Sequence, residues 1–451
     1  LADARSRDFT EGAVPAHLIK LTGYMVLGLI SVMGAGLIET IYVGRVGTNE
    51  LAAIGFTFPL VYMLHGLTMG LGVGASSVVA RAMGVGDREK ARRLNAHAFV
   101  LVSLLIFVFA IASYLSLEPF FIFLGASEEV LPLIVDYMTI WLLGLPFFTF
   151  GFVGSTLMRA MGDAVSPGYL MFIGSALHVL IAPFFIFGLM GAPELGLAGA
   201  ALGYVLARFI SFLIYIYIIV FRDKIVIFSM SGFLESSRDI LHVGLPAIAS
   251  NLIAPVSMTV VTKLLAAHGA VVVAGFGVAS RIEALVVMVI WALSMSIAPF
   301  IGQNWGAGKF DRVKRALSLS NGFVLVWGIV AYALLFFFAR FFVALINDDA
   351  EVVAAAVTYL LIVPLSIGFM GVMSVSTSTF NALGRPMPPL VLSVLQMIVI
   401  YLPLALLGDS LLGYTGIYIA SATTVTLVGT LSWFWIRREI SAGIRRRNAI
   451  D

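Results

Sequence analysis

One carboxylate, Glu39, interrupts the run GLIETIYVGRVG (residues 36–47), which otherwise reads as buried apolar chain. An ionised carboxyl in such surroundings is costly, so it persists where it has a partner or where it loses its charge during function. A carboxyl that is protonated in one state and ionised in another can carry a proton. The same reasoning selects His178 in HVLIAP and His65 in the second apolar run. Imidazole is the side chain that ordinarily changes charge between about pH 5 and 8. The structural alternatives are a salt bridge holding the Glu39 helix and a buried, hydrogen-bonded histidine. A second polar set falls in the other half of the chain: Asn251, Lys263, Arg281 and Glu283. Lys263 and Glu283 could pair, and a structural ion-pair cluster stands beside the reading in which these residues meet a substrate. Arg208, by contrast, could extend its stem towards the membrane surface.

The elements that must position these groups are membrane helices. The chain has 451 residues, of which 61% are hydrophobic and 11% charged, with a mean hydropathy of +1.05. Soluble chains carry about 25% charged residues, whereas a bilayer span needs about 20 apolar residues. Apolar runs of that length recur from end to end, continuous rather than alternating, which argues against a β-barrel. The expected fold is an all-α polytopic membrane protein with helices at 17–44, 51–82, 91–115, 130–158, 167–190, 195–221, 239–267, 271–303, 313–339, 352–382, 388–408 and 412–436. The polar start shows no cleavable signal peptide. There is no cysteine, so thiolate metal sites and cysteine nucleophiles are excluded. No Walker motif, metal cluster or credible triad occurs, so no enzymatic activity, catalytic residue, metal ligand or cofactor is expected.

The basic residues give the orientation. Arg45 and Arg340 fall on one side of this helix pattern, and Arg208, Lys263 and Arg281 fall within helices. Every other Lys and Arg, including Arg5 and Arg7 at the start and Arg437 to Arg447 in the tail, falls on the opposite side. The positive-inside rule then places both termini in the cytoplasm, and the expected location is a bacterial inner membrane. Basicity of this kind reflects topology, so no nucleic-acid partner is expected.

The chain is also written twice. MGVGDREKARR (83–93) resembles WGAGKFDRVKR (305–315), with Gly84 and Gly86 matching Gly306 and Gly308 at a shift of 222 places. At that shift Gly47 meets Gly269, Tyr137 meets Tyr359, and Ala160, Gly162 and Pro167 meet Ala382, Gly384 and Pro389. Six helices therefore repeat as six, entering from the same side, in the manner of parallel-repeat transporters. The expected organisation is an N-lobe at 1–221, a linker at 222–238, a C-lobe at 239–436 and a basic tail at 437–451. In the repeat frame Lys263 and Glu39 are two places apart, about 200° around a helix, so they are not duplicates of one site. Arg281 takes the place of Pro59.

These residues resemble the multidrug and toxic compound extrusion (MATE) family, within the multidrug/oligosaccharidyl-lipid/polysaccharide exporter superfamily. The resemblance rests on IETIYVGRVG with LAAIGF, MRAMGD with its repeat partner NALGRP, GLP at 244–246 and PELGLAGAA. It implies a V-shaped, two-lobed antiporter that expels organic, cationic or amphipathic compounds by alternating access, in exchange for H⁺ or Na⁺. Glu39 stands where the family commonly has Asp. His178 and Ala182 stand at the Asn and Asp of one branch, and Tyr204 lies near its helix 6 hydroxyl. The acids of another branch fall near Ala254 and Met373. The usual oxygen cage for Na⁺ is thus largely missing, so H⁺ is the expected coupling ion, carried by Glu39 and His178. Asn251, Lys263, Arg281, Glu283, Tyr204 and His65 are the candidates for a substrate cleft. Export of anionic or zwitterionic metabolites, Na⁺ coupling and a lipid-linked precursor flippase are the competing readings. The expected partners are small organic substrates and membrane lipids, with the chain acting as a monomer.

Overall fold

The computed structural model describes residues 8–448; the side chains of Ala254, Arg447 and Asn448 lie outside that description, as do Arg5 and Arg7 entirely. Among the described residues there is no strand. Twelve helices among these residues are long and apolar enough to cross a bilayer: α1 (Val14–Gly44), α2 (Thr48–Gly84), α3 (Arg88–Phe123), α4 (Leu131–Ala160), α5 (Ser166–Ile186), α6 (Gly196–Arg222), α7 (Phe233–Ala266), α8 (Ala270–Gly306), α9 (Phe310–Ala344), α10 (Ala350–Ala382), α11 (Met387–Leu412) and α12 (Tyr414–Arg446). Side chains such as Phe107, Leu115 and Phe337 are exposed, as expected where the solvent is lipid rather than water.

Several ends differ from the sequence expectation. Helix α3 runs through Glu118 and Pro119 to Phe123 instead of ending near 115. Helix α7 begins at Phe233, because Glu235 occupies its first turn, where a carboxylate is favourable. In α10 the segment Val363–Ser366 tightens to a 3-10 turn at Pro364, which has no N–H for the helical ladder. Leu395–Tyr401 in α11 widens to a π-turn.

The repeat is visible in backbone geometry. After α2, the amides of Val85, Gly86 and Asp87 bond the carbonyls of Arg81, Met83 and Ala82. After α8, Ala307, Gly308 and Lys309 bond Gln303, Trp305 and Asn304 in the same pattern, with Gly86 (φ 89°) and Gly308 (φ 70°) both left-handed. The turns after α4 and within the α10–α11 connection match in the same way, around Gly162 and Gly384.

The chain divides into two compact units. One comprises Gly23–Ile248; the other takes Phe9–Thr22 and the described residues from Ala249 on. The division falls inside α7 and not in the expected 222–238 linker, and the start of α1 joins the second unit. Within the first unit, Gly70 and Gly74 let α2 approach the backbone of α7 at Ile248 and Gly244. The connection to α7 is also fastened: His97 contacts the Ser236 hydroxyl at 2.8 Å and the Ser229 carbonyl at 2.6 Å, and Asn95 donates to the Ile225 carbonyl at 2.7 Å. Within the second unit, Arg312 donates to the carbonyls of Phe9, Glu11 and Gly12 and to the Asn304 side chain.

Candidate functional site

The first unit gathers most of its isolated polar groups into one cluster. Helices α5 and α6 are brought together by Gly199 and Gly203, one turn apart; a Cβ at Gly203 would lie 2.6 Å from the Ala182 backbone. Position 182 is therefore a buried packing position, 1% exposed, where the family resemblance had implied an acid in one branch. Helix α1 reaches α5 through Gly28, whose Cβ would sit 3.0 Å from the Met171 sulfur. Glu39 on α1 and His178 on α5 then face each other, Oε1 to Nε2 at 3.6 Å, with side chains 19% and 5% exposed. Neither atom makes a hydrogen bond. The separation is just beyond hydrogen-bonding reach, so a small movement closes or opens it.

The His178 ring meets Tyr204 of α6 edge-on, at 5.6 Å. Tyr204 stacks on Trp141 of α4 at 5.5 Å and 14°, because Gly144 leaves space for its ring. One turn along α6, the Arg208 guanidinium lies 5.0 Å from the Tyr204 ring centre and 5.6 Å from that of Phe148, within cation–π range. His65 of α2 stacks on Phe148 at 4.3 Å and lies 5.8 Å from Trp141. Arg208 is therefore turned into the aromatic cluster rather than extended to the surface as its sequence position suggested. The Tyr204 hydroxyl, His65 Nε2 and Arg208 Nε are buried without hydrogen-bond partners. Such groups suit a ligand with matching donors and acceptors, since leaving them unpaired is costly.

The second unit places its set differently. Tyr359 of α10 donates to Glu283 of α8 at 2.5 Å. Among the described residues no ion pair joins Glu283 to Lys263 or Arg281, which are both exposed. The expected Lys263–Glu283 pair is thus replaced by a tyrosine–carboxylate bond, with Lys263 and Arg281 on faces of their own. Asn251 is half-buried on α7. Tyr359 also borders a cavity of about 320 Å³, lined further by Ser257, Gln396, Tyr401, Tyr418 and Thr424. The hydroxyls of Tyr401, Tyr418 and Thr424 are buried and unpartnered. Elsewhere in this unit His268 contacts Asp409 at 2.5 Å, an unexpected pair. Among the described residues no three His, Asp or Glu side chains converge as metal ligands would.

Of the sequence candidates, Glu39, His178, Tyr204 and His65 come together. Glu283 is bonded to Tyr359 in the second unit, and Lys263, Arg281 and Asn251 join neither cluster. Trp141, Phe148 and Arg208 were missed as site residues. Arg208 had one usable signal, its place one turn from Tyr204 on the same helix face.

Comparison with known proteins gives a consistent result. The MatE family profile matches residues 25–184 and 246–407. The chain is similar to the FAD transporter of Shewanella oneidensis, with 32% identity over 91% of this chain and 92% of that protein. It is also similar to the probable multidrug resistance protein YpnP of Bacillus subtilis, with 27% identity over 92% of each. Its structure is similar to the crystal structure of the Vibrio cholerae MATE transporter VcmN in the bent form, with a TM-score of 0.90 and 28% identity, covering 95% of this chain and 97% of that one.

Proposed function

Because this chain belongs to the MatE family of multidrug efflux transporters, which are transporters and not enzymes, we propose that it is a proton-driven antiporter exporting aromatic organic compounds by alternating access. The observation that carries this reading is the Glu39–His178 contact at 3.6 Å beside the Trp141–Tyr204 stack. Two titratable groups at that spacing can hold one proton between them and lose it when the site changes its access to water. The aromatic faces beside them suit a flat apolar ring. Na⁺ coupling is the weaker alternative, because Na⁺ needs a shell of oxygens and the group that directly faces Glu39 is the His178 imidazole. The basic loops further support a bacterial plasma-membrane location with both termini cytoplasmic. A single chain is taken as the working unit.

Arg208 favours a second reading of substrate class. A fixed guanidinium among aromatic rings suits an anionic aromatic compound, and one relative is named a FAD transporter. In this reading a flavin stacks on the rings and its phosphates approach Arg208. The family resemblance alone pointed to cationic compounds, which would instead compete with protons for Glu39. Purified protein in vesicles with an imposed pH gradient distinguishes the readings. Uptake of FAD over a cationic dye supports the anionic site, and the reverse preference supports the cationic one. Transport of either that requires Na⁺ and ignores the pH gradient would sink the proton-coupled proposal.

A further inference from the structure

A second cavity in the second unit lies apart from both polar clusters. It has a volume of about 660 Å³ and lies between the first turns of α9 and the last turns of α12. Lys314 and Arg315 of α9 and Arg437 of α12 line it, with Asp311 as the one acidic side chain. Asp311 is neutralised locally by Lys314, Oδ1 to Nζ at 3.7 Å, which leaves a net positive site. Asn321 also lines the cavity. It is 4% exposed, and both its amide oxygen and its amide nitrogen lack hydrogen-bond partners. A buried amide with every bond unmade is costly, and this one faces a space large enough for a ligand.

We propose that this groove binds the headgroup of an anionic phospholipid, with its phosphate held by Lys314, Arg315 and Arg437 and its glycerol or ester oxygens bonded by Asn321. The surroundings favour a lipid over a soluble anion. Leu319, Phe323 and Val326 of α9 and Leu431 and Phe434 of α12 are exposed apolar side chains, continuing from the groove along the bilayer-facing helices. Acyl chains could lie on them. Trp433 lines the groove with the Arg437 guanidinium 5.1 Å from its ring, an arrangement suited to the headgroup level, where tryptophan is enriched. The groove also lies on the side of the membrane carrying the basic loops, where anionic lipids attract Lys and Arg. None of this depends on the transported substrate or the coupling ion.

The test uses the full chain purified in a neutral detergent. Phosphatidylglycerol, phosphatidylcholine or inorganic phosphate is added, and bound lipid is read by native mass spectrometry and the unfolding midpoint by a thermal scan. Phosphatidylglycerol should be retained and should raise the midpoint, and the other two should do neither. Each neutralised cation should weaken retention about 5-fold, so the combined Lys314→Ala, Arg315→Ala, Arg437→Ala variant should lose on the order of a hundredfold. Asn321→Leu should also weaken it. Removing three cations of the first unit, by Arg88→Ala, Lys90→Ala and Arg93→Ala, should leave it intact. If the combined variant does not fold, Arg315→Gln and Asn321→Leu alone are read by lipid retention. Unchanged retention in the folded variants overturns the proposal, as does equal retention of phosphatidylcholine. A midpoint shift reproduced by inorganic phosphate alone overturns it in favour of a soluble-anion site.

Discussion

A pH difference of one unit supplies about 1.4 kcal/mol per proton, enough for a tenfold concentration ratio of an exported compound. If Glu39 carries that proton, Glu39→Gln keeps the size and polarity of the side chain but removes the ionisation. The variant should fold and insert normally, and its accumulation ratio should no longer respond to an imposed pH gradient. Wild-type response in vesicles would assign coupling to another group. Arg208→Gln separates coupling from selectivity. It removes the cation from above Tyr204 and Phe148, so transport of FAD should fall by at least about tenfold while a cationic dye is still driven by protons; cation–π and charge-assisted contacts of ~1–2 kcal/mol set that scale. Equal loss of both substrates would mean that Arg208 is a structural brace. Glu39, His178 and His65 were legible in the sequence because an ionisable group in an apolar run is conspicuous, whereas Arg208 was visible but read as extending to the membrane surface. Trp141 and Phe148 were not, since the same residue types cover the lipid face of most helices. Lys263 and Glu283 were legible as unusual, but their geometry was not: pairing depends on which side of each helix faces the other, and Tyr359 had no visible claim on Glu283.

At the scale of elements, the site depends on how closely α5 and α6 pack. Any Cβ at Gly203 meets the Ala182 backbone at 2.6 Å, a contact backbone cannot evade by changing rotamer. Gly203→Val should therefore destabilise the first unit by ~1–3 kcal/mol, the usual cost of overpacking. It should also move His178 relative to Tyr204, lowering transport even in molecules that remain folded. The thermal midpoint of the purified variant and its transport per folded molecule are the two readouts. An unchanged midpoint would show that the two helices separate freely. Twelve helices could be read from the sequence because each apolar run is long and the basic residues are concentrated in every second loop. The 3-10 turn at Val363–Ser366 and the π-turn at Leu395–Tyr401 could not. Pro364 allows such a break without requiring one, and no residue type marks a π-turn. The start of α7 was placed late because LESSRD is polar, although its Ser236 is buried against His97.

For the whole molecule, the sequence shows the 6+6 repeat but not where each unit takes its boundary. At the 222-residue shift, Phe9–Thr22 corresponds to residues 231–244, the beginning of α7. In the structure each of these two segments belongs to the unit formed mainly by the other half of the chain. Hydrophobicity cannot report this, since each segment is continuous with an apolar helix whose remainder stays in the opposite unit. The tethers are polar and sequence-distant: Arg312 holds the carbonyls of Phe9, Glu11 and Gly12 at 2.9, 3.1 and 2.6 Å, and Gly74 admits the backbone of α7. The exchange predicts how the halves behave when the chain is cut between Ser229 and Met230, ahead of α7. A fragment ending at Ser229 lacks the α7 turns that complete its own unit, and a fragment starting at Met230 lacks residues 9–22. Expressed separately, each should be unstable in the membrane. Expressed together, they should copurify in mild detergent, because each supplies a segment the other's core is built around. Arg312→Ala and Gly74→Leu should each weaken copurification, and the two together should weaken it more than either, since they act on different segments. A first fragment that is stable alone, or copurification indifferent to both substitutions, would show that the exchanged segments contribute little to holding the halves together.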